Sequence, residues 1–267
     1  MNKKTLLEIF AVAGIFCLAG CEKKAYAQSS NQVAKIPSAE EEKFSRVFQK
    51  MSARAKEAIC VTEENKTEFI KDLYAILEKE KTFRADDKSL FFLIDKKHTA
   101  SSSYAPKDLI SLEKNSLFDL NKAGMKIRPE AYSALNEGIR LLVSSAYRSY
   151  SYQENLFNYW VSVDGLEEPE RESARPGTSQ HQLGTAVDFG SISDDFDKTQ
   201  MGQWIYKNAA DYGWSLSFPK GYEDVTGYRW ECWHFRYIGK NACLFQQKWF
   251  GGIQQFMLEF IDCWKNC

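Results

Sequence analysis

Apolar residues recur at helical spacing from Glu40 onward, where Phe44, Val47, Phe48, Met51 and Ala55 mark one face. A second stripe follows in Phe69, Ile70, Leu73, Ile76 and Leu77. The run from Leu90 to Ile94 is apolar but too short for a helix, so a strand is expected there. Pro129 opens a helical pattern over residues 129–143, through Ala131, Leu135 and Ile139, which leads into a strand at Leu141-Leu142-Val143. Phe157, Tyr159 and Trp160 belong to a helix after Tyr150, whereas Gly165 to Gly177 is polar, holds Pro169 and Pro176, and is expected to be loop. Thr185 to Phe189 and Tyr228 to Tyr237 are expected strands, and Phe256, Phe260 and Trp264, four apart, predict a closing helix. No internal repeat is visible. Helices and strands mix without a βαβ rhythm, which predicts an α+β fold: a small antiparallel sheet surrounded by helices.

Composition narrows the class. With 267 residues, 44% of them hydrophobic and 14% aromatic, the chain holds one sizeable core and is not a disordered coil. Lys+Arg 35 against Asp+Glu 36 leaves a net charge of −1, so no basic field awaits nucleic acid. At the start, Lys3 and Lys4 precede an apolar run from Leu6 to Leu18, interrupted only by Glu8, that is shorter than a membrane span and has the proportions of a secretory signal. It ends in Leu18-Ala19-Gly20-Cys21, which resembles the lipobox of bacterial lipoproteins and implies acylation at Cys21. The expectation is a signal peptide over 1–20, a flexible tether over 21–38, and one domain with an N-terminal helical extension over 39–267. Such a chain is exported and lipid-anchored to a bacterial membrane, facing the periplasm or cell wall, and a monomer is expected. In that compartment Cys60, Cys232, Cys243, Cys263 and Cys267 predict one or two structural bridges and a leftover thiol.

Candidate chemistry gathers around two of the three histidines. His98 lies among Lys96, Lys97 and Thr99, a solvated stretch, and reads as inert. His181 precedes Asp188 by one loop and a short strand, with the small residues Gly184 and Ala186 between them allowing close backbone approach. His234 and Arg236 share a strand face by the period of two. Two imidazoles and a carboxylate suit a catalytic zinc, which takes three protein ligands and keeps one open position. Glu231, three residues before His234, is the candidate carboxylate to take a proton from water. A lone strand histidine is more often structural than a ligand; the coincidence of these pieces is what carries weight.

Several segments resemble one family. Ser179-x-His181-x-x-Gly184-x-Ala186-x-Asp188 is similar to the signature of the D-alanyl-D-alanine carboxypeptidases of the vancomycin-resistance type, a group that also holds lysostaphin-like peptidases and the hedgehog domain. Glu231-x-Trp233-His234-x-Arg236-Tyr237, Ser145-Ala146-Tyr147-Arg148-Ser149 with Gln153, Ala174-Arg175-Pro176-Gly177, Pro219-Lys220-Gly221 and Thr226-Gly227-Tyr228 match further elements in order, over about residues 90–260. The resemblance implies a zinc ion held by His181, Asp188 and His234, with Glu231 as general base. It makes Arg148 the group that steadies the oxyanion or a substrate carbonyl, and Ser179 and Gln153 hydrogen-bonding partners of the peptide. The implied activity is D,D-carboxypeptidase removal of terminal D-Ala from peptidoglycan stem peptides.

Departures from the pattern are few. Cys232 stands where proline is usual and shares the strand parity of His234; a bridge to Cys243 is favoured over a fourth metal ligand. Ala146 replaces a glycine, and the stretch from Tyr132 to Ser145 is short. The same motif serves L,D-carboxypeptidases and murein endopeptidases, so those alternatives stay open. So does a non-catalytic, zinc-containing wall-binding lipoprotein, against which the presence of Glu231 argues, and a lipid-tethered scaffold with inert histidines.

Overall fold

The computed structural model describes residues 38–81, 88–138 and 140–267. The expected signal segment, Cys21, the tether up to residue 37 and Ile139 lie outside the described residues. Three helices come first: Ser38–Lys50 (α1), Ala53–Ala58 (α2) and Lys66–Lys81 (α3). Ser52 caps α2, its Oγ accepting from the Ala55 amide at 3.1 Å, which ends α1 and starts a new direction. Pro129–Leu135 (α4), Tyr150–Asp164 (α5), Glu167–Glu172 (α6), Gln200–Asn208 (α7), Glu223–Thr226 (α8), Lys240–Trp249 (α9) and Gln254–Lys265 (α10) follow. The apolar stripes found in the sequence close on one another: α1 packs on α10 and α3 on α9. Phe69 sits at the centre, with the rings of Phe44, Phe245, Trp249, Phe250 and Phe260 all within 6.0 Å between centroids.

The strands are short: Ile110–Ser111 (β1), Asp119–Leu120 (β2), Lys126–Ile127 (β3), Leu142–Ser145 (β4), Ala186–Phe189 (β5), Trp214–Leu216 (β6) and His234–Tyr237 (β7). β1 pairs with β3, and a five-stranded sheet runs in the order β2-β4-β5-β7-β6. Its pairings are antiparallel except at one edge, where β2 runs parallel to β4. The α+β expectation holds, with a small sheet among helices.

Several local expectations do not. Leu90–Ile94 forms no strand. The buried guanidinium of Arg236 donates to the carbonyls of Leu90 (2.8 Å) and Phe92 (2.9 Å), so these backbone groups find their partner in a side chain rather than a ladder. The helix from Pro129 stops at Leu135 instead of running on to the strand at Leu141, and the Asn136 side chain closes its end by donating to the Tyr132 carbonyl at 3.0 Å. Residues 165–177 are not all loop: α6 lies inside, its first turn rich in the acidic residues that suit a helix N-terminus. The strand expected over 228–237 contracts to His234–Tyr237.

Candidate metal centre

Three strands bring the chemistry together through their register. Asp188 on β5 lies opposite His234 on β7 and opposite Ser145 on β4. Residues opposite one another across a sheet project from the same face, so this pairing alone stacks all three side chains. His181 arrives from outside the sheet on a 3₁₀ turn, Gln180–Leu183, with Ser179 as its cap: Ser179 Oγ accepts from the His181 amide at 3.3 Å. Gly184 ends that turn at φ +68°, the left-handed conformation that a glycine adopts freely. A β-carbon there would fall 2.8 Å from Leu109 Cδ2 and 3.1 Å from Arg128 Cγ. Gly184→Ala is therefore expected to destabilise the fold by about 1–3 kcal/mol. Denaturant unfolding measures this, and an unchanged midpoint would show that the loop relaxes without cost.

A turn, not a strand, positions Glu231. The His234 amide donates to the Glu231 carbonyl at 3.3 Å, folding residues 231–234 so that the two side chains meet. Glu231 Oε2 lies 3.6 Å from His234 Nδ1. The same turn breaks the alternation on which Cys232 would share a face with His234. Cys232 instead points into the core, where its thiol donates to the Ser193 carbonyl at 3.2 Å. Cys243, on α9, directs its thiol to the Trp214 carbonyl at 3.5 Å, so the expected bridge between them does not form. Among the described residues Cys232, Cys243, Cys263 and Cys267 all carry free thiols, contrary to the expected disulfides. Cys60 Sγ lies 3.7 Å from the Ala58 carbonyl.

The donor atoms of His181, Asp188 and His234 all lie within 4.8 Å of one another, and all three residues are buried. His181 Nε2 is 3.3 Å from Asp188 Oδ2, and His234 Nδ1 is 3.1 Å from Asp188 Oδ1. The opposite nitrogen of His181, Nδ1, donates to the Ala146 carbonyl at 2.7 Å, which leaves the Nε2 lone pair facing the carboxylate. Burial, then the Arg148 charge, lowers the His181 pKa to about 4, so the ring is neutral at pH 7. A lone pair and a carboxylate oxygen turned toward each other repel unless a cation lies between them. The donor set therefore fits a zinc ion.

Two carboxyls here are driven apart. Burial pushes Asp188 up, but His181, His234 and Arg148 together hold it well below the ordinary carboxylate range. Burial, then the Asp188 charge, lifts Glu231 well above that range. One carboxylate thus stays ionised while its neighbour tends to hold a proton, the division expected of a ligand beside a proton carrier.

Arg148 faces the same centre. Its guanidinium donates to Asp188 Oδ2 (2.7 Å), Ser145 Oγ (3.0 Å) and Gln153 Oε1 (3.4 Å). Gln153 does not line the cavity: its amide nitrogen is taken up by the Ala174 carbonyl (2.7 Å) and Ser173 Oγ (3.3 Å). Its oxygen braces Arg148. Ser179 lines the cavity while capping its turn. His98 bonds to Asp95 Oδ1 at 2.8 Å, away from the centre, and Arg236 shares the His234 face yet turns to the 90–92 segment. The centre opens into a cavity of about 510 Å³ whose walls include Tyr152 and Trp160 of α5 and the buried Tyr228. The Tyr228 hydroxyl sits 3.0 Å from Thr178 Oγ1, and burial pushes its pKa up, keeping it a hydrogen-bond donor. Thr178 and Gln180 were not singled out by the sequence reading. Gln180, between Ser179 and His181, gives no spacing signal, yet its Oε1 lies 3.2 Å from His234 Nε2.

The sequence profile of a family described as D-alanyl-D-alanine carboxypeptidase (VanY) matches residues 126–240. The Bacillus subtilis (strain 168) protein named "Putative carboxypeptidase YodJ" is 35% identical over 168 residues, 58% of this chain and 62% of its own length. The bifunctional D-Ala-D-Ala dipeptidase and D-Ala-D-Ala carboxypeptidase VanXYC of Enterococcus gallinarum is 28% identical over 176 residues, 59% of this chain and 88% of its own. Among solved structures, the LD-carboxypeptidase LdcB matches with a TM-score of 0.55 at 31% identity, over 64% of this chain and 84% of that one. The chain thus spans less than two thirds of the length of the Bacillus relative.

Proposed function

The chain belongs to the D-alanyl-D-alanine carboxypeptidase (VanY) family, and from that footing we propose that it is a zinc-dependent D,D-carboxypeptidase that removes the terminal D-Ala of peptidoglycan stem peptides. The observation that carries the reading is the convergence of His181, Asp188 and His234 within 4.8 Å, with Glu231 beside them at the floor of an open cavity. His181, Asp188 and His234 would hold the zinc. Bound there, zinc would polarise the scissile carbonyl and lower the pKa of water towards about 7. Glu231 accepts the proton that the attacking water gives up, and later hands it to the leaving amine. Its raised pKa suits a group that must hold that proton between the two steps. Arg148, fixed by Ser145 and Gln153, presents its guanidinium where negative charge develops on the carbonyl oxygen. Tyr228 and Ser179 offer hydroxyls to the peptide from the cavity wall.

The proposal includes a place of action outside the cytoplasmic membrane, with the chain tethered through Cys21. Lys3, Lys4, the apolar run and the lipobox-like Leu18-Ala19-Gly20-Cys21 support it. A tethered hydrolase stays beside an insoluble polymer.

A second reading, L,D-carboxypeptidase action on tetrapeptide stems, draws support from the likeness to LdcB at 31% identity. Digestion of defined tripeptide, tetrapeptide and pentapeptide stems by the zinc-loaded protein, followed by mass spectrometry, separates the two. Conversion of pentapeptide to tetrapeptide is expected. Conversion of tetrapeptide to tripeptide, with pentapeptide untouched, would move the activity to the second reading, and no product from any stem would refute both.

A further inference from the structure

We propose that Gln180 is a positioning residue that fixes which ring nitrogen of His234 is free to bind a metal, through a relay of side-chain amides anchored on the backbone of β6. The inference rests on the reading of His181, Asp188 and His234 as a metal centre. It concerns residues outside that ligand set.

The relay begins at the Ser215 carbonyl, a group that only accepts hydrogen bonds. Gln254, at the start of α10, donates to it through Nε2 at 3.3 Å. With its amino group committed, Gln254 turns Oε1 the other way, where Gln180 Nε2 donates to it at 3.4 Å. Gln180 is thereby oriented in turn. Its Oε1 accepts from Ser217 Oγ at 2.7 Å and faces His234 Nε2 at 3.2 Å. An amide oxygen has only lone pairs to offer, so Nε2 must bring the proton. Nδ1 then keeps its lone pair on the side of Asp188 and Glu231.

The local field would otherwise choose the other arrangement. Asp188 Oδ1 stands 3.1 Å from Nδ1 and draws a proton toward that nitrogen. A proton there would have to leave before a metal could bind. Gln180 opposes this pull from the far side of the ring. Gln180, Ser217, Gln254 and His234 are each no more than 5% exposed, so bulk water offers no substitute partner. Register explains why Ser217 is in reach: its amide donates to the His234 carbonyl at 3.2 Å, just past the end of the β6–β7 pairing.

The test reads the tautomer directly. In metal-free wild-type protein carrying ¹⁵N-labelled histidine, the ring nitrogen shifts of His234 are expected to report a proton on Nε2; a proton on Nδ1 would overturn the relay without any variant. Gln180→Met, close in volume but without an acceptor, is expected to move the proton toward Nδ1 and weaken zinc binding, by chelator competition, about 10–100-fold. Gln180→Glu keeps the accepting oxygen and is expected to stay within about threefold of wild type, on the same reasoning. Equal losses in the two variants, or none in Gln180→Met, would refute the assignment. A wild-type protein with the expected tautomer that binds no zinc would instead sink the metal centre and leave the relay standing.

Discussion

Glu231→Gln is expected to leave zinc bound while hydrolysis of the stem peptide falls about 10²–10⁴-fold, the range for loss of a general base. Metal content and turnover, measured on the same preparation, check both halves, and equal activity would remove Glu231 as the base. The variant has a second signature in the metal-free protein. Burial, then the Asp188 charge, raises the Glu231 pKa in the folded state. Between the unfolded value, about 4.3, and that raised value, the folded protein retains a proton that the unfolded chain has released. Stability from this group is thus fully present at low pH and declines as pH rises through that window. Glutamine has no proton to lose. The stability difference between Glu231→Gln and wild type is therefore flat below about pH 4 and grows in the variant's favour above it. Denaturant midpoints across pH measure this, and a difference that ignores pH would show that Glu231 titrates normally. A site group that costs stability where it functions is common in enzymes.

His181→Ala is expected to lose the metal together with the activity. His181 Nε2 is aimed by the Ala146 carbonyl at the shared locus, and deleting the ring leaves Asp188 and His234 alone with Arg148. Two protein ligands do not make a catalytic zinc site, and the loss of affinity should exceed the about 10–100-fold typical of changes around the ligands. Elemental analysis after dialysis gives the answer; a variant that keeps stoichiometric zinc would mean that other residues hold it. Compared with Glu231→Gln, the two variants separate holding the metal from moving the proton.

Much of the centre was legible because its residues cluster in short segments with fixed spacing. His181 and Asp188 sit on one turn and the strand after it, and His234 opens the strand paired with Asp188. The register that places them opposite one another was not legible, since a period of two specifies a face and never a partner. The same period misled at Cys232, where a backbone turn interrupts what reads as a continuous strand. Leu90–Ile94 misled for a different reason: an apolar run announces burial, and its backbone partner, Arg236, lies far along the chain. Gln153 lies beside Arg148 and the Ala174 carbonyl, neighbours that the order of the motifs does not specify. Gln180 was invisible because its importance lies in which end of an amide faces a ring.

The meeting of α1 with α10 has a consequence for biosynthesis. Phe44, near the first described helix turn, rests 5.8 Å from Phe260 in the last helix, and Phe69 bridges the two. A ribosome-bound nascent chain cannot complete this aromatic layer until α10 has emerged.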